Sequence, residues 1–350
     1  MSGRTEDVIT TEPAVRRVDP ADAATVRAML DVERAALAAD DPSSPLWSQR
    51  VFQARLALGP PHRDPGEAWC LPDDASGGLA GWYYLKLPDL ENRDWGSLEL
   101  MVDPAARRRG LGTALLRHAA GRARAHGRTE LYGGVVQGSA GEEFGRQAGA
   151  RFGLADIRRV LDLDMVPAER VAACRERAAK AAAGYSLACW QGRTPDELIA
   201  GVARMFTTMN DAPNGPELEP DLWDEQRIRD RADGWIAAIG SRSYQVAAIC
   251  DATGEMAALT ESRVDADLPD WGHQGNTAVA RPHRGHRLGL LVKAALTQWL
   301  RDAEPAVRKV VTYNSAANPH MIAINDELGY EVSGAPHLET QISVSHVLGG

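Results

Sequence analysis

Two stretches of the sequence put arginines and glycines where a strand hands over to a helix, and that spacing suits an anion. The first runs Val102-Asp103-Pro104-Ala105-Ala106-Arg107-Arg108-Arg109-Gly110-Leu111-Gly112, with a helix expected from Thr113 to His126. The second follows Val279 and runs Arg281-Pro282-His283-Arg284-Gly285-His286-Arg287-Leu288-Gly289, with a helix expected from Leu290 to Arg301. Glycines let backbone amides turn inward, and a helix start offers unpaired amides and a positive dipole end. Arginines add charge, so the whole can grip a diphosphate. Two other phosphate motifs are excluded. A dinucleotide fingerprint needs a third glycine where Leu115 stands, and a Walker loop needs Gly-Lys followed by Ser or Thr.

The elements that position these turns occur twice. A shift of 177 residues lays Asp74-Ala75-Ser76-Gly77 on Asp251-Ala252-Thr253-Gly254, and lays Val102, Arg107, Leu111 and Gly112 on Val279, Arg284, Leu288 and Gly289. Two coincidences in one register mark a duplication. In the first copy a helix is expected from a cap at Asp19-Pro20 to about Ala39. In the second, the capping box Thr194-Pro195-Asp196-Glu197 is expected to open a helix to about Met209. Hairpin strands are expected at 67–71 and 79–87, matched by 244–250 and 256–264. Further strands are expected at 97–102 and 129–136, matched by 276–279 and 308–313. The alanine- and arginine-rich stretch 167–184 reads as a helical linker between an N-terminal domain, 13–166, and a C-terminal domain, 185–350.

The first turn resembles the acetyl-CoA loop of the GNAT superfamily: Arg or Gln, two residues, Gly, one residue, Gly or Ala, then a helix. Arg107, Gly110 and Gly112 fit it; in the second turn Arg284 and Gly289 fit, and Arg287 replaces a glycine. The segment Thr312 to Tyr330 is similar to the GNAT region in which an asparagine meets the pantetheine arm, with Asn318 as the matching residue and Asn314 nearby. Asn325 stands where that family often carries a proton-donating tyrosine, and the first copy has no tyrosine there either. The resemblance implies an α+β chain of two tandem GNAT-like domains, each a mixed, mostly antiparallel sheet flanked by helices, in a two-module arrangement like that of mycothiol synthases. It implies an acetyl-CoA-dependent N-acetyltransferase acting on a small amine, such as a specialised metabolite, amino sugar or antibiotic. The cofactor would be held by Val102, Arg107, Arg108, Arg109, Gly110, Leu111, Gly112 and Thr113, and by Val279, Arg284, Gly285, His286, Arg287, Leu288, Gly289, Asn314 and Asn318.

An attacking ammonium must first lose a proton, and the strands expected to line the acceptor cleft offer Glu99, Glu261 and His273 as bases. For any one of them, a satisfied or exposed polar side chain is the commoner case. The loops Asp40 to Trp47 and Asp211 to Trp223 are expected to wall that cleft. Other readings stay open: modules that bind coenzyme A without turnover, or transfer of another acyl unit, such as an aminoacyl group from tRNA.

The bounds agree with a two-domain enzyme of small molecules. The chain has 350 residues, 44% of them apolar and 25% charged, and a net charge of -9, which disfavours broad phosphate contact with nucleic acid. No apolar run approaches the roughly 18 residues that cross a bilayer. His283 and His286 lack further ligands, so no metal is expected. The four scattered cysteines and the polar segment 1–11 suggest a cytoplasmic protein, monomeric or homodimeric.

Overall fold

A computed structural model describes residues 14–59, 66–73, 77–212 and 219–349. The polar segment 1–11, the expected domain start at 13, the turn residues 74–76, part of the expected loop 211–223 and residue 350 lie outside the described residues.

The first copy contains β1 Arg16–Arg17, α1 Ala23–Asp40, α2 Gln49–Leu58, β2 Glu67–Asp73, β3 Gly78–Lys86, β4 Trp95–Val102, α3 Leu111–Ala125, β5 Glu130–Val136, α4 Ala140–Ala148 and β6 Arg151–Asp162. The helix α5, Ala168–Ala181, follows. The second copy contains β7 Tyr185–Gln191, α6 Ile199–Thr208, α7 Glu225–Ile228, a π-helical turn Arg229–Trp235, α8 Ile236–Ile239, β8 Arg242–Cys250, β9 Met256–Val264 and β10 Trp271–Val279. It continues with α9 Leu288–Ala303, β11 Lys309–Ser315, α10 Pro319–Leu328, β12 Glu331–Val332, β13 His337–Ser343 and α11 Val344–Leu348.

Two helix starts differ from expectation. The first helix is capped by Asp22, whose carboxylate accepts from the amides of Ala24 and Thr25, while Asp19 closes the turn before it. The Thr194 capping box is not used. The Thr194 amide donates to Asp233 Oδ1 at 2.8 Å, and Asp196 pairs with Arg193 and Arg229, so α6 starts a turn later. The helix α2, within an expected loop-rich stretch, is capped by Ser48.

The strands join into one mixed sheet ordered β1-β2-β3-β4-β5-β13-β6-β11-β10-β9-β8-β7, with β12 also on β6. Its centre is an exchange between the copies. The late strand of the second copy, β13, lies between β5 and β6, and the late strand of the first, β6, pairs with β11 through Asp156–Asp162. The cores are exchanged with the strands. Ile342 and Val344 pack with Leu115, Ala119 and Ala123 of α3, while Leu161, Leu163, Val171 and Cys174 pack with the apolar face of α9.

Within each copy one strand pair is parallel, β4 with β5 and β10 with β11. These pairs stay in register for only three residues, Trp95–Ser97 against Glu130–Tyr132 and Trp271–His273 against Lys309–Val311. Beyond that the strands separate and leave unpaired edges, a cleft that opens toward the start of the helix after each glycine turn.

Candidate active site

Both glycine turns fold alike by different means. Before α3, Arg108 at φ 66° and Gly110 at φ 78° take left-handed conformations; before α9, Gly285 at φ 89° and Arg287 at φ 56° take the same two places. Glycine adopts that region freely, whereas an L side chain there costs about 1–2 kcal/mol. The substitution of Arg287 for glycine therefore leaves the path of the chain intact. Neither α3 nor α9 has a side-chain cap, so the first amides of both remain available.

The leading arginine of each turn is a brace and not a free anion ligand. Arg107 donates to both carboxylate oxygens of Asp40, at 3.0 and 2.6 Å, and its Nε approaches the Val102 carbonyl at 3.4 Å. Arg284 repeats this with Asp211 at 2.7 Å and the Val279 carbonyl at 3.2 Å, helped by Arg281, which also grips Asp211. Arg109 turns back to the Ala105 carbonyl. These arginines hold the end of the first helix of each copy against its turn.

A cavity of about 450 Å³ lies in the cleft between β4 and β5. It is lined by Val102, Arg107, Arg108, Gly110, Leu111, Gly112 and Thr113, with Leu37 and Asp40 of α1 and Phe144 of α4. The structure thus gathers seven of the eight N-terminal cofactor candidates, all except Arg109. The apolar walls and uncapped helix start fit the arm and diphosphate of a coenzyme A thioester.

The second copy differs at the same place. Ile324 of α10 comes so close to Gly289 that a β-carbon there would meet it at 3.0 Å, and Arg287 forms an ion pair with Glu327 at 2.5 Å that ties the start of α9 to the end of α10. Asn318 caps α10, its Oδ1 accepting from the Met321 amide at 3.1 Å. Asn314 accepts from Asn325 at 2.6 Å, and Asn325 accepts from the buried Lys293 at 2.7 Å. Both asparagines expected to meet a pantetheine arm are therefore occupied within the protein. Leu288 is buried, Gly285 and His286 are exposed, and His286 packs its ring near Tyr185. His283 shares a hydrogen bond with the Tyr185 hydroxyl at 2.9 Å. Among the described residues no group of three or more His, Cys, Asp or Glu side chains could hold a metal ion.

A second cavity, about 480 Å³, lies between the copies. Its floor is one face of β8, β9 and β10, where register sets Ser243 beside Arg263 and Arg263 beside His273, with Gln245 beside Glu261. Its roof comes from the first copy: Glu33 and Leu37 of α1, and Ser44, Pro45 and Trp47 of the following loop. Trp47 joins the two sides, stacked on His273 at 6.2 Å between ring centres, with the guanidinium carbons of Arg55 and Arg263 at 5.6 and 5.4 Å. The loop is anchored by Arg158 of β6, which reaches Asp41 at 2.5 and 2.7 Å and Ser43 at 2.6 Å. Of the two loops expected to wall an acceptor cleft, the one at 40–47 lines this cavity through Ser44, Pro45 and Trp47.

The three base candidates fare unequally. Glu99 faces α2, where Arg55 and Lys86 hold it. Burial acts to raise its pKa, but Lys86 and Arg55 keep it below the usual carboxylate range, which makes it a poor proton acceptor. His273 lines the cavity, yet burial, with the charge of Arg263, lowers its pKa to about 3. It stays neutral and is too weak a base near neutral pH. Glu261 lines the cavity, with Oε1 accepting from the Asn276 amide at 3.3 Å.

The carboxylate that sequence reasoning missed is Glu33. It is 5% exposed, its Oε2 has no hydrogen-bond partner, and it lines the interface cavity. Burial raises its pKa to about 7, the charge of Glu99 adding to the rise and that of Arg55 opposing it. The available signal was an acid inside the apolar stripe Val26, Met29, Leu30, Ala36. One turn further on, Leu37 lines both cavities, so the β4–β5 cleft and the interface cavity adjoin along α1.

The profile of the Acetyltransferase (GNAT) family matches residues 27–139. The chain superposes on a tandem GNAT protein from the clavulanic acid biosynthesis pathway, solved without acetyl-CoA. The TM-score is 0.77 and the identity 28%, covering 95% of this chain and 98% of that one. The fold is that of a tandem GNAT protein. A GCN5-related N-acetyltransferase from Sphaerobacter thermophilus shares the fold, with a TM-score of 0.66 and 17% identity over 95% of both chains. No curated protein matches the sequence significantly. Among the described residues no helix is long and apolar enough to cross a membrane.

Proposed function

We propose that the chain is an acetyl-CoA-dependent N-acetyltransferase in which the β4–β5 cleft of the first module holds the thioester and the interface cavity receives a small amine. The observation that carries this reading is Glu33, an unpartnered carboxylate with a pKa near 7, lining the interface cavity one helical turn from the wall shared with the donor cleft.

Acetyl-CoA, when bound, supplies the acetyl group as a thioester. The turn amides of Gly110 to Thr113 hold its diphosphate, and the Arg107–Asp40 pair keeps α1 against that turn. Glu33 takes one proton from the bound ammonium, which frees the nitrogen lone pair; a base with a pKa near working pH is best matched to this task. Trp47 and Leu37 keep bulk water from the nitrogen. No tyrosine is among the described residues that line the β4–β5 cleft, so the departing thiolate draws its proton from solvent. The similar tandem GNAT protein from the clavulanic acid biosynthesis pathway supports a specialised metabolite as the amine.

The test pairs calorimetry of acetyl-CoA binding with thiol release from acetyl-CoA across a panel of amines. Binding with amine-dependent release is expected. Binding without release for every amine would leave a coenzyme A sensor, and no affinity for any coenzyme A thioester would sink the reading.

A further inference from the structure

The floor of the interface cavity gathers buried polar atoms that no described residue hydrogen-bonds, around a guanidinium whose charge the carboxylates of Asp265 and Glu261 offset from nearby. Arg263 Nη1 is buried without a hydrogen-bond partner, and so are Ser243 Oγ, Gln245 Oε1 and Trp235 Nε1, all of them lining the same cavity. Buried polar atoms are nearly always paired, and orphaned donors and acceptors gathered in one cavity mark a place for a polar occupant. The guanidinium lies 5.4 Å from the centre of the Trp47 ring and 5.9 Å from that of Trp235, so aromatic faces hold its plane in position. Ser243 stands directly across from Arg263 on β8.

We propose that the amine acceptor carries a carboxylate, bound by Arg263 with Ser243 and Trp235 at the end of the cavity remote from the reacting nitrogen. The proposal rests on the catalytic reading above and names its substrate class. A planar guanidinium fork matches a carboxylate in two parallel hydrogen bonds, and Trp235 Nε1 and Ser243 Oγ add donors. A monoanion fits the local charge better than a phosphate dianion, because Glu33 and Glu261 stand in the same walls. Gln245 Oε1 accepts from a donor on the substrate body. The acceptor is therefore an amino acid in the broad sense: an amine at one end for Glu33, a carboxylate at the other for Arg263.

The experiment uses the full chain and a series of straight-chain amino acids of increasing length, each paired with its carboxamide, with thiol release from acetyl-CoA as the readout. At the best length kcat/KM for the carboxylate is expected to exceed that for the amide about 100-fold, since a site built around a buried charge rejects a ligand that leaves it unpaired. In R263Q that ratio is expected to collapse toward one, with R263K between. R263K, which keeps the charge and loses the fork, serves as the second variant, and the melting temperature of each variant shows that it is folded. A parallel arm measures binding of the N-acetylated acids and their amides by calorimetry. Carboxylate-selective binding that R263Q abolishes, with no turnover of any amine, would keep the anion site and reject the enzyme. Turnover with a ratio near one, or a ratio unchanged in R263Q, would overturn the anion site and keep the enzyme. Absence of both turnover and selective binding overturns the proposal.

Discussion

Before α3 the two left-handed turn positions belong to Arg108 and Gly110, and before α9 to Gly285 and Arg287, so each copy uses glycine where the other uses arginine. The backbone cradle survives in both. What differs is the side chain at the fourth position: Gly110 leaves the mouth of the β4–β5 cleft open, whereas Arg287 crosses to Glu327. Beneath the turn, Leu116 in the first copy packs with the apolar core, while the residue at the matching place in the second is Lys293, bound to Asn325. The comparison teaches that duplication kept the scaffold while the two cores diverged. On the function proposed above, the first module keeps the donor cleft, and the second contributes the polar floor of the acceptor cavity.

The sharpest way to break that division is at Glu33. Seven residues before the braced Asp40 stands Glu33; seven before Asp211 stands Arg204, exposed to solvent. Glu33→Gln is expected to lower kcat by about 10²–10⁴-fold, while Arg204→Gln leaves it within about twofold. In the wild type kcat/KM should rise with pH to a plateau above about 7, and the rising limb should vanish in the glutamine variant. Stability moves the other way. The folded pKa lies above the ordinary glutamate value of 4.5, so this group's stabilisation is complete below pH 4.5 and is lost as pH rises to about 7. Glu33→Gln should therefore gain about 3 kcal/mol at pH 8, read from denaturant midpoints. A variant that is inactive and no more stable than wild type at that pH would contradict the account.

Next in size is the anchor of the roof. The side chains of Arg158 and Asp41 are 0% and 2% exposed, so cutting one leaves the other charged and buried. Arg158→Met is expected to cost about 3–5 kcal/mol. Breaking the exposed pair Arg281–Asp211 by Arg281→Met, with Arg281 74% exposed, should leave the unfolding midpoint nearly unchanged. Equal losses at the two would mean that the interface loop is not held by Arg158.

These particulars also show what the sequence discloses. Both turns, the helices after them and the order of strands followed from spacing that backbone geometry imposes locally. The strand exchange did not, because alternation in Arg151–Asp162 and His337–Ser343 reports which face is buried and not which strand lies alongside. The Thr194 box was misleading, since a tertiary partner, Asp233, took the amide a local rule assigned to the cap. Glu33 and Arg263 became visible only when the roof from one copy met the floor from the other, and Glu99 lost its role to Arg55, a residue on an unanticipated helix.

Lys293 offers a smaller test of the same contrast. Burial lowers its pKa to about 7 from the ordinary lysine value of 10.5, so its contribution to stability is complete above about 10.5 and is lost as pH falls through 7. Lys293→Met, which makes the second core resemble the first, removes that penalty but orphans Asn325 Oδ1, a cost of about 1–3 kcal/mol. The expected net gain at pH 7 is about 2 kcal/mol, measured by thermal melting, and it should disappear by pH 10. A gain independent of pH would show that Lys293 is not neutralised on burial.

The smallest effect lies at the fourth turn position itself. Arg287→Gly relieves about 1 kcal/mol of left-handed strain and gives up a half-exposed ion pair worth under about 1 kcal/mol, so the midpoint of unfolding should shift by less than about 1 kcal/mol. Its use lies in stoichiometry. The wild-type chain is expected to bind one acetyl-CoA, and opening the second mouth is expected to leave that number unchanged, because Ile324 against Gly289 and the Lys293–Asn325–Asn314 chain still close the cleft beneath. If calorimetry instead finds a second site in Arg287→Gly, the ion pair with Glu327 is a gate, and the two modules differ by one side chain and not by their cores.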